Sequence, residues 1–225
     1  MESLEESLEK TSLTLLRVSE VFYSLQGEAS RMGLPSVFIR LSGCPLRCAW
    51  CDTGYAFTGG QPMPLAAILD RVSEYGVRQV CVTGGEPLAQ KNCLPLLTSL
   101  CDAGYDVSLE TSGALDIAAV DPRVSRIVDL KAPGSGESEG NCWSNIALLT
   151  QRDELKFVLS GRADYDWARQ VITEHRLDNR CPILFSPVQD TLAPRDLAEW
   201  ILADRLPVRF QLQLHKQLWG NMQGK

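Results

Sequence analysis

Gly43-Cys44-Pro45-Leu46-Arg47-Cys48-Ala49-Trp50-Cys51-Asp52-Thr53 carries three cysteines spaced C-x3-C-x2-C, with an aromatic residue directly before the last. Thiolate sulfur is the soft ligand that iron–sulfur clusters require. Three thiolates hold three irons of a 4Fe–4S cluster and leave the fourth iron open, which makes the cluster a reaction site and not only an electron relay. A structural zinc site wants four closed ligands, and a ferredoxin-type cluster also takes four from the protein. No fourth Cys or His follows at finger-like spacing, and the two histidines of the chain, His175 and His215, are far away in sequence. The expected ligands of an open cluster are therefore Cys44, Cys48 and Cys51.

Outward from this loop, short β-rich runs alternate with helical patterns. Ser36–Leu41 leads into the first cysteine. Further strands are expected at Gln79–Thr83, Tyr105–Glu110, Arg126–Lys131, Glu154–Leu159 and Ile183–Phe185. Helices are expected over Leu65–Tyr75, Cys93–Ala103, Tyr165–His175 and Arg195–Ala203. In the first of these, Leu65, Ile68, Leu69 and Val72 fall at i, i+3, i+4 and i+7, one helical face, and Pro64 suits a first helical position. Alternating strand and helix argues for a parallel sheet with crossover helices. Pro207–His215 alternates Val208, Phe210, Leu212 and Leu214 against Arg209, Gln211, Gln213 and His215, the pattern of a strand with one apolar face. Residues 132–145, rich in Gly, Ser and Pro, read as a loop. With no internal repeat and no linker, residues 16–225 read as one domain behind a polar extension over residues 1–15.

The 225 residues suffice for one sizeable core. A net charge of −6 disfavours a grip on a nucleic-acid backbone, which calls for a basic patch. No apolar run approaches membrane-spanning length. The acidic start Met1-Glu2-Ser3-Leu4-Glu5-Glu6 has no signal-peptide core, so the eight cysteines are expected to be reduced, in a cytoplasmic protein. Cys81, Cys93, Cys101, Cys142 and Cys181 show no ligand spacing and read as small apolar fillers.

The remaining polar motifs fall where the expected strands end: Gly84-Gly85-Glu86-Pro87, Glu110-Thr111-Ser112-Gly113, Asp129-Leu130-Lys131 and Ser186-Pro187-Val188-Gln189. In barrels and open α/β sheets that rim carries the active site. Gly84-Gly85 allows close backbone approach to a ligand, although a plain turn would use the same residues. Thr111 and Ser112 suit a capped turn equally. Asp129 and Lys131 bracket Leu130, so both can face a cavity or form a solvated ion pair. His215 is a weak candidate, since a strand histidine is more often simply satisfied than a ligand.

Together, the cysteine loop with Trp50, Gly84-Gly85-Glu86 and Glu110-Thr111-Ser112-Gly113 resemble the radical S-adenosylmethionine (SAM) superfamily. Phe22-Tyr23-Ser24-Leu25-Gln26-Gly27-Glu28, Val37-Phe38-Ile39-Arg40-Leu41-Ser42-Gly43-Cys44, Cys51-Asp52-Thr53 and Gln213-Leu214-His215-Lys216 resemble more narrowly the 7-carboxy-7-deazaguanine synthase family, over about residues 17–220.

The resemblance implies a partial (β/α)6 TIM-like barrel with parallel strands, often a homodimer. It implies conversion of 6-carboxy-5,6,7,8-tetrahydropterin to 7-carboxy-7-deazaguanine with loss of ammonia, in queuosine and deazapurine biosynthesis. A 5′-deoxyadenosyl radical would take hydrogen from substrate C6, and an electron donor such as flavodoxin or ferredoxin would reduce the cluster. By resemblance Trp50, Asp52 and Gly85 lie against SAM, as do Asp129-Leu130-Lys131 and Ser186, Pro187, Val188 and Gln189. Leu25, Gln26, Gly27, Arg40 and Thr83 match substrate-binding positions, and an Arg fork pairs with a carboxylate bidentately. Thr53 matches a Mg2+ ligand, and a hydroxyl suits that hard cation. Glu110 is the candidate for catalytic proton handling. Two rivals remain: a glycyl-radical-enzyme activase with the same cluster loop, and a non-enzymatic zinc or iron–sulfur module.

Overall fold

In the computed structural model, residues 14–220 and 222–225 are described. Nearly all of the expected polar extension thus lies outside the described residues. Among the described residues, nine strands form one sheet in the order β3-β1-β2-β4-β5-β6-β7-β8-β9. They are β1 (Leu15–Leu25), β2 (Pro35–Leu41), β3 (Gln61–Pro64), β4 (Gln79–Gly84), β5 (Asp106–Thr111), β6 (Ser125–Asp129), β7 (Glu154–Leu159), β8 (Ile183–Pro187) and β9 (Arg209–Phe210). From β2 through β4 to β9 every pairing is parallel, and spatial order follows chain order. A sheet wound in one direction is the order of a barrel, whereas a doubly wound sheet reverses at a switch point. Six of these strands, β2 and β4–β8, are those expected, and together they make the partial TIM-like barrel.

The helices are α1 (Leu65–Ser73), α2 (Cys93–Asp102), α3 (Arg162–His175), α4 (Pro194–Asp204) and α5 (Leu214–Trp219). Helix α1 buries Leu65, Ile68 and Val72, the stripe read from its spacing. Pro64 stands one place earlier than expected, ending β3 with φ −61° and ψ 143°. The β5–β6 and β6–β7 crossovers contain no α-helix. They run through Ile117 and Val120 and through the short 3-10 turn Trp143–Leu148, which bury apolar side chains in the same core.

Three segments depart from the sequence reading, one of them the short strand β3, Gln61–Pro64, which was not expected. Strand β1 shows no clean alternation because its register slips between Val18 and Glu20. Leu16 and Val18 are buried, and the next buried residue is Val21. A bulge of this kind inserts one residue and shifts the period. At the other end, the strand expected over Pro207–His215 is only Arg209–Phe210, and helix α5 begins at Leu214. Two of its polar residues turn inward: Gln211 is buried and its side chain accepts the Ala29 N–H at 3.1 Å. Gln213 donates to Glu28 at 2.7 Å. Partners deeper in the fold outweighed the apolar alternation.

Candidate active site

The upper ends of the strands enclose a cavity of about 270 Å³. Cys44, Cys48 and Cys51 line one side, and Leu25, Gln26, Gly27, Arg40, Thr83 and Glu110 line another. Trp50, Asp52, Thr53, Gly85, Asp129, Lys131, Val188 and Gln189 also face it. Three of the expected residues do not. Leu130, the first residue past β6, is packed in the hydrophobic core. Ser186 and Pro187 are buried within β8.

The cysteine loop is pinned to the next strand end. Glu86 N–H donates to the Gly43 carbonyl at 2.7 Å and Gly85 N–H to that of Leu41 at 3.0 Å. A Cβ on Gly85 would stand 2.8 Å from the Gly43 carbonyl carbon and 2.9 Å from Cys44 Cβ. Only glycine permits this approach. The Glu86 side chain is fully buried and ties two motifs together: Thr111 Oγ1 donates to it at 2.9 Å, Ser112 N–H at 2.7 Å and Leu88 N–H at 3.0 Å. The Gly-Gly turn therefore has both a packing role and a place on the cavity wall.

Cys44 and Cys48 are half-buried and Cys51 is exposed, all three as free thiols. Burial pushes the Cys44 and Cys48 thiols up, and a metal bound there would reverse this by holding the thiolate. Among the described residues, no three His, Cys, Asp or Glu side chains converge on a single-ion site. Three soft donors spread along one loop suit a multi-iron group. Thr53 Oγ1 lies 3.7 Å from Cys51 Sγ.

On the opposite side, Gln26 Nε2 donates to Glu110 Oε1 at 3.2 Å and Thr83 Oγ1 to Oε2 at 3.0 Å. The residues expected to bind substrate are thus joined to the expected catalytic acid. Arg40 faces Thr83 across the β2–β4 ladder. Its Nε donates to Glu20 at 2.7 Å, and its guanidinium lies 5.7 Å from the Phe22 ring centroid. Phe22 and Phe38 stack at 4.9 Å and give the cavity a flat apolar wall.

A buried charge chain crosses the floor. Lys156 Nζ donates to Glu28 at 2.6 Å and lies 3.7 Å from Asp129, which Lys131 holds at 2.9 Å. Burial works against the Glu28 charge, but Lys156 and Gln213 outweigh it and hold the carboxyl at about 2. Burial likewise opposes the Lys156 charge, and Glu28, Asp129 and Glu110 push its pKa up. Asp129 Oδ1 is buried with no partner among the described residues, an acceptor left over for a ligand. Asp129 and Lys131 are therefore a pair within the cavity and not on open surface. Helix α5 closes the side. Lys216 reaches Asp52 at 2.9 Å, and the His215 ring packs where a Gly27 side chain would be.

Glu28, Lys156, Gln213 and Lys216 were not identified from sequence as site residues. A signal existed for Lys156, a lysine inside the otherwise apolar run Leu155-Lys156-Phe157-Val158-Leu159. Such a charge is kept in a core only with partners.

Residues 38–132 match the Radical SAM superfamily. A 7-carboxy-7-deazaguanine synthase of Chlorobaculum tepidum is 49% identical over 208 residues, covering 91% of this chain and 94% of the relative. The chain belongs to the 7-carboxy-7-deazaguanine synthase family. A relative of the same name from Koribacter versatilis is 42% identical over 91% of this chain and 97% of its own. The crystal structure of QueE from Escherichia coli superposes with a TM-score of 0.75 at 26% identity, covering 95% of this chain and all of that one. As radical SAM proteins, family members use a 4Fe–4S cluster and SAM, and the donor set and glycine cradle here fit both.

Proposed function

We propose that the protein converts 6-carboxy-5,6,7,8-tetrahydropterin to 7-carboxy-7-deazaguanine with loss of ammonia. The observation that carries this reading is one cavity on which the three thiols, the Gly85 cradle and the Gln26–Glu110–Thr83 cluster all open. When bound, the cluster and SAM supply a one-electron reductive cleavage that yields a carbon radical able to take hydrogen from the substrate.

The chain's own residues do the rest. Cys44, Cys48 and Cys51 hold three irons. Gly85, Trp50, Asp52 and the Asp129–Lys131 pair hold SAM beside them, with Val188 and Gln189 on the far wall. Leu130, Ser186 and Pro187 act only by backbone, since their side chains are buried elsewhere. Arg40 anchors the substrate carboxylate with the terminal nitrogens left over from Glu20, and Phe22 and Phe38 flank the ring. Glu110, whose two oxygens accept from Gln26 and Thr83, takes a proton from the substrate ring as it rearranges and returns it to the departing nitrogen. Thr53 would hold Mg2+ through its hydroxyl, a hard oxygen donor suited to that cation. The walls exclude water from the radical centre. The working form is a cytoplasmic homodimer reduced by flavodoxin or ferredoxin.

Anaerobic turnover tests this. Reconstituted protein with reductant, SAM, Mg2+ and the tetrahydropterin is expected to give 7-carboxy-7-deazaguanine by mass spectrometry, and Cys48→Ala to give none. Cleavage of SAM without deazaguanine would retain the radical chemistry and overturn the substrate.

A further inference from the structure

Strand β1 changes faces part-way along. Leu16, Val18 and Val21 are buried in the hydrophobic core, and the register shift between Val18 and Glu20 moves the core face from even to odd positions. Without the extra residue, Glu20 and Phe22 would continue the core face of Leu16 and Val18. With it they share the opposite face. Phe22 reaches the cavity wall, and Glu20 stands directly across the β1–β2 ladder from Arg40. Re-aiming a side chain beside a site is a recurring use of a bulge. Here the result is the bond from Arg40 Nε to Glu20 Oε1 at 2.7 Å.

Glu20 is itself held. Tyr55 Oη donates to the same oxygen at 2.8 Å. The Arg40 guanidinium lies 5.7 Å from the Phe22 ring centroid and 5.8 Å from that of Tyr55, both within cation–π reach. Tyr55 belongs to the cluster loop, in the short turn Gly54–Ala56 just past Thr53. Gly43 N–H fastens that turn by donating to the Ala56 carbonyl at 2.8 Å. Glu20 and Tyr55 stand behind Arg40, outside the lining of the cavity. An arginine carries its donors in a planar fork, so a fixed acceptor on Nε sets the plane in which the two terminal nitrogens meet a carboxylate.

We infer that Tyr55 and Glu20 are positioning residues for Arg40: the cluster loop, through Tyr55 and then Glu20, aims the fork that receives the substrate carboxylate. The inference rests on the pterin reading made above. Glu20 serves as an acceptor in a fixed place, since its negative charge opposes that of the substrate.

The test uses the reconstituted holoenzyme with SAM and two fluorescent ligands, 6-carboxypterin and pterin, which lacks the carboxylate. Fluorescence titration gives both Kd values. The wild type is expected to bind 6-carboxypterin tighter by about tenfold or more. Tyr55→Phe keeps the ring and removes the hydroxyl; it is expected to weaken 6-carboxypterin by about fivefold and to leave pterin unchanged. Glu20→Ala is expected to remove most of the advantage of the carboxylate. Glu20→Gln keeps an acceptor oxygen for both donors and is expected to stay within about twofold of wild type. If Glu20→Ala, left with a largely buried and unpaired Arg40, fails to fold, Tyr55→Phe at its partly exposed position carries the test. Equal binding of the two ligands by the wild type overturns the inference, as does a wild-type ratio in Tyr55→Phe. Equal weakening of both ligands also overturns it, since that marks a purely structural role. So does a Glu20→Gln variant as weak as Glu20→Ala, because charge and not placement would then matter. Turnover of the tetrahydropterin is measured on the same wild-type preparation. Turnover with an unmoved ratio in the variants sinks the positioning role alone; no turnover and no pterin binding sinks the functional reading with it.

Discussion

Lys156 shows how a single residue can govern the site. A buried cation is costly unless it is paired, and the two anions that pair with it, Glu28 and Asp129, come from two separate segments, the loop after β1 and the end of β6. The pair also sets a pH window. The Glu28 pKa is lowered from 4.5 to about 2, so between these values the unfolded chain binds more protons than the folded one. Its stabilisation is complete above pH 4.5 and is lost as pH falls through about 2. Lys156 is raised, so its share holds below 10.5 and is lost only as pH climbs through the higher folded value. Glu28→Gln should therefore cost about 3 kcal/mol or more near neutrality. Urea titrations from pH 7 down to 2 should show the gap to wild type closing. A pH-independent gap would count against an ionised Glu28. Glu110 gives a second prediction at this scale. Glu110→Gln should lower deazaguanine formation by about a hundredfold or more while leaving the iron content intact. Wild-type turnover would remove it from the mechanism. For Thr53→Ala the expected change is a weaker response of rate to added Mg2+, and an unaltered response would refute the assignment.

At the level of elements, legibility tracked how local the causes were. Helix α1 was readable because its buried stripe follows from spacing alone. Strand β1 was not, since its bulge at Val18/Glu20 breaks the alternation that announces a strand. Strand β9 and helix α5 were misread because Gln211 and Gln213 take partners in the Ala29 backbone and Glu28, more than 180 residues away in the chain. The cluster loop and the strand-end motifs were legible from residue type and spacing. The Glu28–Lys156 pair was not, because its partners meet only once β7 and the loop after β1 pack together. That loop and α5 fit closely enough to be tested. Leu214 N–H donates to the Gly27 carbonyl at 2.9 Å, and a Cβ at residue 27 would fall on the His215 ring. Gly27→Ala must push α5 outward, and overpacking of this kind costs about 1–3 kcal/mol. The expected result is a lower melting temperature and a raised KM for the pterin, with the iron content unchanged. An unchanged KM would show that α5 plays no part in the cavity.

For the molecule as a whole, the sheet does not close on itself, and α5 packs beside the cavity it leaves. Closure of the sheet would bring β9 back to β3, but the two remain opposite edges. A cavity bounded by only part of a barrel is open to water unless something covers it, and a carbon radical in contact with water or oxygen is lost to side reactions. Here α5 covers one side, fixed by Lys216 to Asp52 at 2.9 Å and by Gln213 to Glu28 at 2.7 Å. The helix buries no residue of its own fully, so it contributes to closure far more than to the core. Removing residues 214–225 should then separate stability from protection. The melting temperature should fall by only a few degrees, as expected for loss of about 1–2 kcal/mol, because the apolar core is untouched. The cluster should bleach several times faster in air, and SAM cleavage should rise relative to deazaguanine formed, since cleavage no longer waits on a closed site. Following iron absorbance and the ratio of 5′-deoxyadenosine to product in the truncated protein measures both effects. A truncation that unfolds the protein would show α5 to be structural. One that leaves bleaching and the ratio unchanged would place the shield elsewhere on the cavity rim.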